Sequence, residues 1–142
     1  MIYTALTKKA LKLCFEAHKD QVDKAGIPYV FHPFHLAEQM DDEISTVCAL
    51  LHDVVEDTEI TPDNLLQMGF PTEVLNVLKL LTHDEAVPYM DYVKSISKDP
   101  VARKVKIADL LHNSDITRLD SSDEYAIERN KKYQEALAIL TK

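Results

Sequence analysis

The sequence predicts an all-α fold in a single domain, and three observations carry that prediction. Apolar residues recur at three- and four-residue spacings along most of the chain. Only two glycines and six prolines interrupt them, and these fall at the joints between periodic segments. No stretch alternates apolar and polar residues for long enough to make a strand. At 142 residues the chain is near the commonest domain size, and its 46% hydrophobic content suits a packed core. No repeat, low-complexity tract or boundary divides it, so residues 1–142 read as one bundle of about seven to eight helices.

Each element has its own signal. Leu6, Ala10, Leu13, Cys14 and Ala17 form the first helical stripe. Residues 22–30 are the longest run without helical periodicity and read as a loop. Pro33, directly after His32, suits the start of a second helix. Ile44, Val47, Cys48 and Leu51 place another helix from near Glu43, and Val74, Val77, Leu78 and Leu81 a further one. Pro62 after Thr61, Pro71 ahead of Thr72 and Pro100 after Asp99 each suit a first helical turn. Val101, Val105 and Ala108 continue from Pro100. The last helix is expected from about Asp123 to Leu140, with Ala126, Tyr133, Leu137 and Leu140 on one face.

Charge and composition narrow the partners. Sixteen Lys and Arg against 24 Asp and Glu give a formal charge of −8, which excludes nonspecific nucleic-acid binding. A small phosphorylated ligand is still admissible, because a divalent cation with a few lysines reverses the field inside one pocket. No apolar run approaches the roughly 20 residues that span a bilayer, and no signal-peptide pattern opens the chain. Cys14 and Cys48 lie in apolar helical stretches and read as buried free thiols. The expected setting is cytoplasmic, without a membrane partner; oligomeric state has no signature in the sequence.

Three short segments carry chemistry. After the apolar run Val47–Leu51 the sequence turns abruptly to His52-Asp53-Val54-Val55-Glu56-Asp57. An ionised Asp in that position is costly unless it is paired or binds a metal. If the helix continues, residues 52 and 56 share a face, as do 53 and 57. A second segment, Lys106-Ile107-Ala108-Asp109-Leu110-Leu111-His112-Asn113, puts Asp109, His112 and Asn113 on one helical face. A third, Tyr29-Val30-Phe31-His32-Pro33, sets His32 among aromatic residues. Each sets a His or an Asp against apolar neighbours, and the His52-Asp53 segment by itself makes a plausible half of a metal site with an acid/base pair beyond it.

In these segments, and in Ala17-His18 and Gly26-Ile27-Pro28, the sequence resembles the HD-domain metal-dependent phosphohydrolases, in particular the hydrolase domain of RelA/SpoT-type alarmone enzymes. The resemblance implies that His32, His52, Asp53 and Asp109 hold one divalent metal ion, usually manganese, with iron or zinc compatible with the same donors. It implies that Glu56 and Asp57 activate or position the attacking water, that Asn113 contacts the nucleotide, and that Lys24 lines the substrate pocket. The implied reaction removes the 3′-pyrophosphate from guanosine-3′,5′-bis(diphosphate). On this resemblance the expected type is the stand-alone small hydrolase, without a synthetase or regulatory domain. Two positions depart from the family pattern: Asp23 where the loop commonly has an Arg that stacks on guanine, and Leu110 where an Arg commonly follows the third-motif Asp. Both remove positive charge. They favour an alternative, the same chemistry on a different nucleotide; a second alternative is a non-catalytic nucleotide-binding or interaction module. Lys104 and Lys106 are further candidate phosphate contacts, Thr58 reads as a cap, and His35 as a packing or surface residue.

Overall fold

Proline with a polar residue before it begins the helices at Pro62 and Pro100, where the sequence places them. A computed structural model describes residues 1–119 and 124–142. Its helices run, in order, α1 (Ala5–His18), α2 (Phe31–Glu38), α3 (Glu43–Leu51), α4 (Val54–Asp57), α5 (Pro62–Gln67), α6 (Thr72–Leu81), α7 (Tyr89–Ile96), α8 (Pro100–Asn113) and α9 (Glu124–Leu140), with a 3-10 turn at Ile116–Arg118. Thr61 caps α5 by accepting from the Asn64 amide, and Asp99 caps α8 by accepting from Val101 and Ala102. Pro71 sits immediately before α6. The expected start of the last helix, Asp123, lies outside the described residues; the described helix begins at Glu124 and ends at Leu140.

The apolar stripes converge on α3, whose residues 45–51 are all buried and which packs on α1, α2, α6 and α8. A helix apolar all round belongs at the centre of its bundle. Its two buried hydroxyls, Ser45 and Thr46, both donate to the Asp42 carbonyl, so neither is left unsatisfied. Cys14 and Cys48 are buried and free, as expected. Among the described residues there is no strand, only an isolated bridge between Val22 and Pro28 that pins the loop before α2. Gly26 shapes that loop with a φ of 81°, in the left-handed region that a side chain disfavours.

The structure corrects one local expectation. The third helix does not run on through the His-Asp pair: α3 ends at Leu51, and α4 restarts at Val54 after a break in which Asp53 has φ −105° and ψ 0°. The Asp57 amide still donates to the Asp53 carbonyl, so those two residues stay one turn apart. His52, however, sits on the end of α3 rather than in register with Glu56. The break turns the imidazole and the Asp53 carboxylate toward each other, which an unbroken helix holds roughly 100° apart. Thr58 closes α4 by donating to the Val54 carbonyl and accepting from the Ile60 amide, which is the capping role expected of it.

Candidate metal and nucleotide site

Three helices deliver one buried cluster. His32 comes from the start of α2, His52 from the end of α3 and Asp109 from the middle of α8. One potential ligand atom from each lies within 4.8 Å of the others, and all three residues are buried. The ring of His52 is fixed because its Nδ1 lies 2.7 Å from the Ala49 carbonyl. A carbonyl only accepts, so Nδ1 carries a proton, and in the neutral ring Nε2 presents a bare lone pair. That atom is buried without a well-aligned hydrogen bond, 2.9 Å from Asp53 Oδ2 and 3.6 Å from Asp109 Oδ1. A lone pair facing two carboxylates is repulsive unless a cation lies between them. In the absence of metal the cation is a proton: burial works against charge on His52, yet Asp53 and Asp109 raise its pKa well above the imidazole value. A divalent ion satisfies the same atoms, and the donor set fits it.

Asp109 is the hub. Its Oδ1 lies 2.9 Å from His32 Nε2 and accepts from Asn113 Nδ2 at 2.9 Å, while Oδ2 accepts from Lys106 Nζ at 2.9 Å. Burial opposes its ionisation, but Lys106, His32 and His52 together hold the carboxyl well below the usual range. The fourth expected ligand, Asp53, is not one of the clustered three. Its Oδ2 touches His52 and accepts a hydrogen bond from the Tyr29 hydroxyl. Burial raises its pKa and the His52 charge lowers it, with a net fall.

His32 is oriented by His112. Their Nδ1 atoms are 2.6 Å apart and their rings are 6° from parallel with centroids at 4.9 Å. That separation is too long for face-to-face stacking and matches two rings joined edge to edge by an N–H···N bond. His112 is pushed down to about 4, first by burial and then by Arg118 and neighbouring histidines, so at neutral pH it is an uncharged acceptor. His32 then donates from Nδ1 and turns Nε2 into the cluster. His35, which is exposed, packs its ring on His112 at 4.1 Å, consistent with a packing role.

Glu56 and Asp57 stand on α4 at the mouth of the cluster. Glu56 Oε1 accepts from the His83 backbone amide, which fixes the carboxylate. Asp57 is pushed up to about 6 by burial and then by the Asp53 and Glu56 charges, so its carboxyl gains and loses a proton near neutrality.

Two clefts meet beside the cluster. The larger, about 500 Å³, is polar and is lined by Asp53, Glu56, Asp57, Lys106, Asp109 and Lys132 among others. The smaller, about 290 Å³, has apolar walls from Val22, Ala25, Leu119 and Ala126, with Lys24 and Arg118 at its side. Asn113 and Tyr133 line both. Lys24 and Asn113 thus fall where a ligand would lie. Lys104 does not: it pairs on the surface with Asp41. Lys106 is committed to Asp109, and Leu110 is 1% exposed and part of the core, so an arginine there would have to displace packing. Sequence reasoning missed Tyr29 as partner of Asp53, although it stood inside a quoted motif, and it missed Arg118, Lys132 and Tyr133, for which no motif signal exists. His18, buried, has Nδ1 2.8 Å from Gln21 Oε1 and its ring beside Tyr29.

No protein-family model matches the chain. It is similar to a GTP pyrophosphokinase of Myxococcus xanthus (30% identical over 126 residues, 76% of this chain and 16% of that protein). It is also similar to the mouse guanosine-3′,5′-bis(diphosphate) 3′-pyrophosphohydrolase MESH1, with 32% identity over 114 residues, 70% of this chain and 63% of that protein. The chain therefore spans under a fifth of the first relative and somewhat under two thirds of the second. A solved structure of a metazoan SpoT orthologue that hydrolyses ppGpp superposes with a TM-score of 0.77 at 23% identity, covering 99% of this chain and 85% of that one; it shares the fold. Among the described residues no helix is long and apolar enough to cross a membrane.

Proposed function

We propose that this chain, a homologue of MESH1 and of RelA/SpoT-type enzymes, is a metal-dependent 3′-pyrophosphohydrolase of guanosine-3′,5′-bis(diphosphate), releasing pyrophosphate. The observation that carries the proposal is the buried His32–His52–Asp109 cluster opening into a polar cleft that already holds a carboxyl poised near neutrality.

His32, His52 and Asp109 would hold the ion, with Asp53 as the proposed fourth ligand. Manganese is the ion proposed, with iron or zinc compatible with the same donors. Such an ion supplies Lewis acidity, drawing charge from a phosphoryl oxygen and acidifying water. The residues do the rest. Asp57 accepts the proton of the attacking water, and Glu56, anchored on the His83 amide, orients that water. Asn113, held on Asp109 and shared by both clefts, is placed to touch a nucleotide whose base enters the smaller cleft and whose 3′-phosphates enter the larger. Lys132, beside Tyr89, and Lys24 contribute positive charge at the two ends.

Incubation of the manganese-loaded protein with guanosine-3′,5′-bis(diphosphate) should release pyrophosphate; a protein that holds metal and releases none refutes the reading. Metal analysis of Asp53→Ala tests the ligand set separately, since unchanged metal content removes Asp53 from it. A second reading, the same chemistry on another nucleotide, draws on Asp23, whose carboxylate stands in the wall of the smaller cleft. Turnover confined to another nucleotide in a substrate screen would favour it.

A further inference from the structure

Resting on that placement of the ligand, we infer that Arg118 reads the base: its guanidinium, clamped by Asp23 and the end of α8, offers a flat cationic face to a purine in the smaller cleft. The clamp is built from both sides. Asp23 Oδ1 accepts from the amides of Ala25 and Ile27 and so folds the 22–28 turn, which leaves Oδ2 to face Arg118 Nη2 at 3.6 Å. Arg118 Nη1 donates to the His112 carbonyl at 2.9 Å, in the last turn of α8, where the Asp115 amide also donates. Asp23 and Arg118 are both largely covered, with 18% and 24% of their side chains exposed. Held by these two acceptors, the guanidinium is fixed in place beside the cleft, and neither contact covers its planar face.

Arg118 borders a cleft whose lining sets the apolar Val22, Ala25, Leu119 and Ala126 beside the polar Arg129 and Asn130. Apolar side chains beside a planar cation suit the flat face of a heterocycle, and the pyrophosphate arm of the test below separates that from phosphate binding. Arg118 thereby supplies a planar cation from the segment after α8. Asp23 acts as a positioning residue, setting the plane of the guanidinium rather than touching the base.

The test uses binding to the metal-loaded protein, without turnover. Guanosine 5′-diphosphate, cytidine 5′-diphosphate and pyrophosphate are titrated against the wild type, Arg118→Lys and Asp23→Asn. The wild type should prefer the guanosine over the cytidine ligand. Arg118→Lys keeps charge and reach but not the plane, and should weaken guanosine diphosphate roughly tenfold, the scale of a desolvated cation–π contact, while pyrophosphate changes by less than about twofold. Asp23→Asn keeps the Oδ1 acceptor that folds the turn and should lose about threefold of the guanosine preference. Unchanged guanosine diphosphate affinity in Arg118→Lys, or an equal loss for pyrophosphate, overturns the inference; an unchanged Asp23→Asn overturns the clamp. Melting temperatures within a degree or so of wild type show that the fold is intact. If the base preference obeys these rules but the bis(diphosphate) is not hydrolysed, the proposed reaction fails and Arg118 stands; if hydrolysis proceeds with no base preference, Arg118 falls alone.

Discussion

The metal cluster and the smaller cleft are built on opposite principles. His32, His52 and Asp109 stand on three packed helices, are 3–6% exposed, and each has its second polar atom committed to a neighbour. Asp23, Lys24 and Arg118 sit on connecting segments, and their geometry depends on one glycine turn and one guanidinium clamp. The candidate metal ligands are carried by buried helical positions; the proposed contacts to the base are carried by connecting segments. Changes to the first region should therefore remove metal, and changes to the second should alter choice of ligand while the metal stays.

Asp109→Ala should have the largest effect. It strips the hub, leaves Lys106 buried without its partner and costs about 3–5 kcal/mol of stability besides abolishing metal retention; denaturant titration and metal analysis read the two losses. An Asp109→Ala protein that keeps its metal would dissolve the contrast.

Asp57→Asn should come next, lowering the rate roughly 10²–10⁴-fold with the metal retained. The carboxyl stands raised to about 6 from an ordinary 3.8, so its basic form is lost as pH falls through 6. The wild-type rate should fall on that acid side, and the variant should lack the limb. The same raised value means that the folded state binds this proton more tightly than the unfolded chain, so stability from this group declines as pH rises between about 4 and 6. Asp57→Asn should therefore melt higher than wild type at pH 7–8 and match it below pH 4.

His112→Phe keeps a ring but removes the acceptor that turns His32. Metal affinity should weaken about 10- to 100-fold, and His112→Asn should recover part of it; equal affinities in all three proteins would make His112 a packing residue only. The smallest effect belongs to Gly26→Ala. An added methyl meets nothing within 4 Å, so the cost is the left-handed backbone alone, about 1–2 kcal/mol in a denaturation curve. Metal affinity should not move, and a loss there would show that the loop supports the cluster.

The same division decides what could be read from the chain. Pro62 and Pro100 announced their helices because a proline at the first turn and the Thr61 or Asp99 cap before it act locally, and Pro71 marks the residue before α6. His52 and Asp109 were legible as polar residues against an apolar helical pattern, and His32 as an imidazole among aromatic residues ahead of Pro33. The break between α3 and α4 was not, since Val54 and Val55 continue the apolar pattern across it and no glycine or proline marks it. Arg118 was invisible for a different reason. Its partners, Asp23 and the His112 carbonyl, are brought to it by tertiary folding, and an arginine five residues beyond Asn113 in a polar segment has the pattern of ordinary surface. Leu110, read as a lost charge, turned out to be core.

The most direct test of the central claim is a paired assay of metal content and pyrophosphate release from guanosine-3′,5′-bis(diphosphate), on wild type and Asp109→Ala. The account predicts one divalent ion per wild-type chain with pyrophosphate released, and neither in the variant. A wild-type chain that binds its ion and leaves the bis(diphosphate) intact would contradict it.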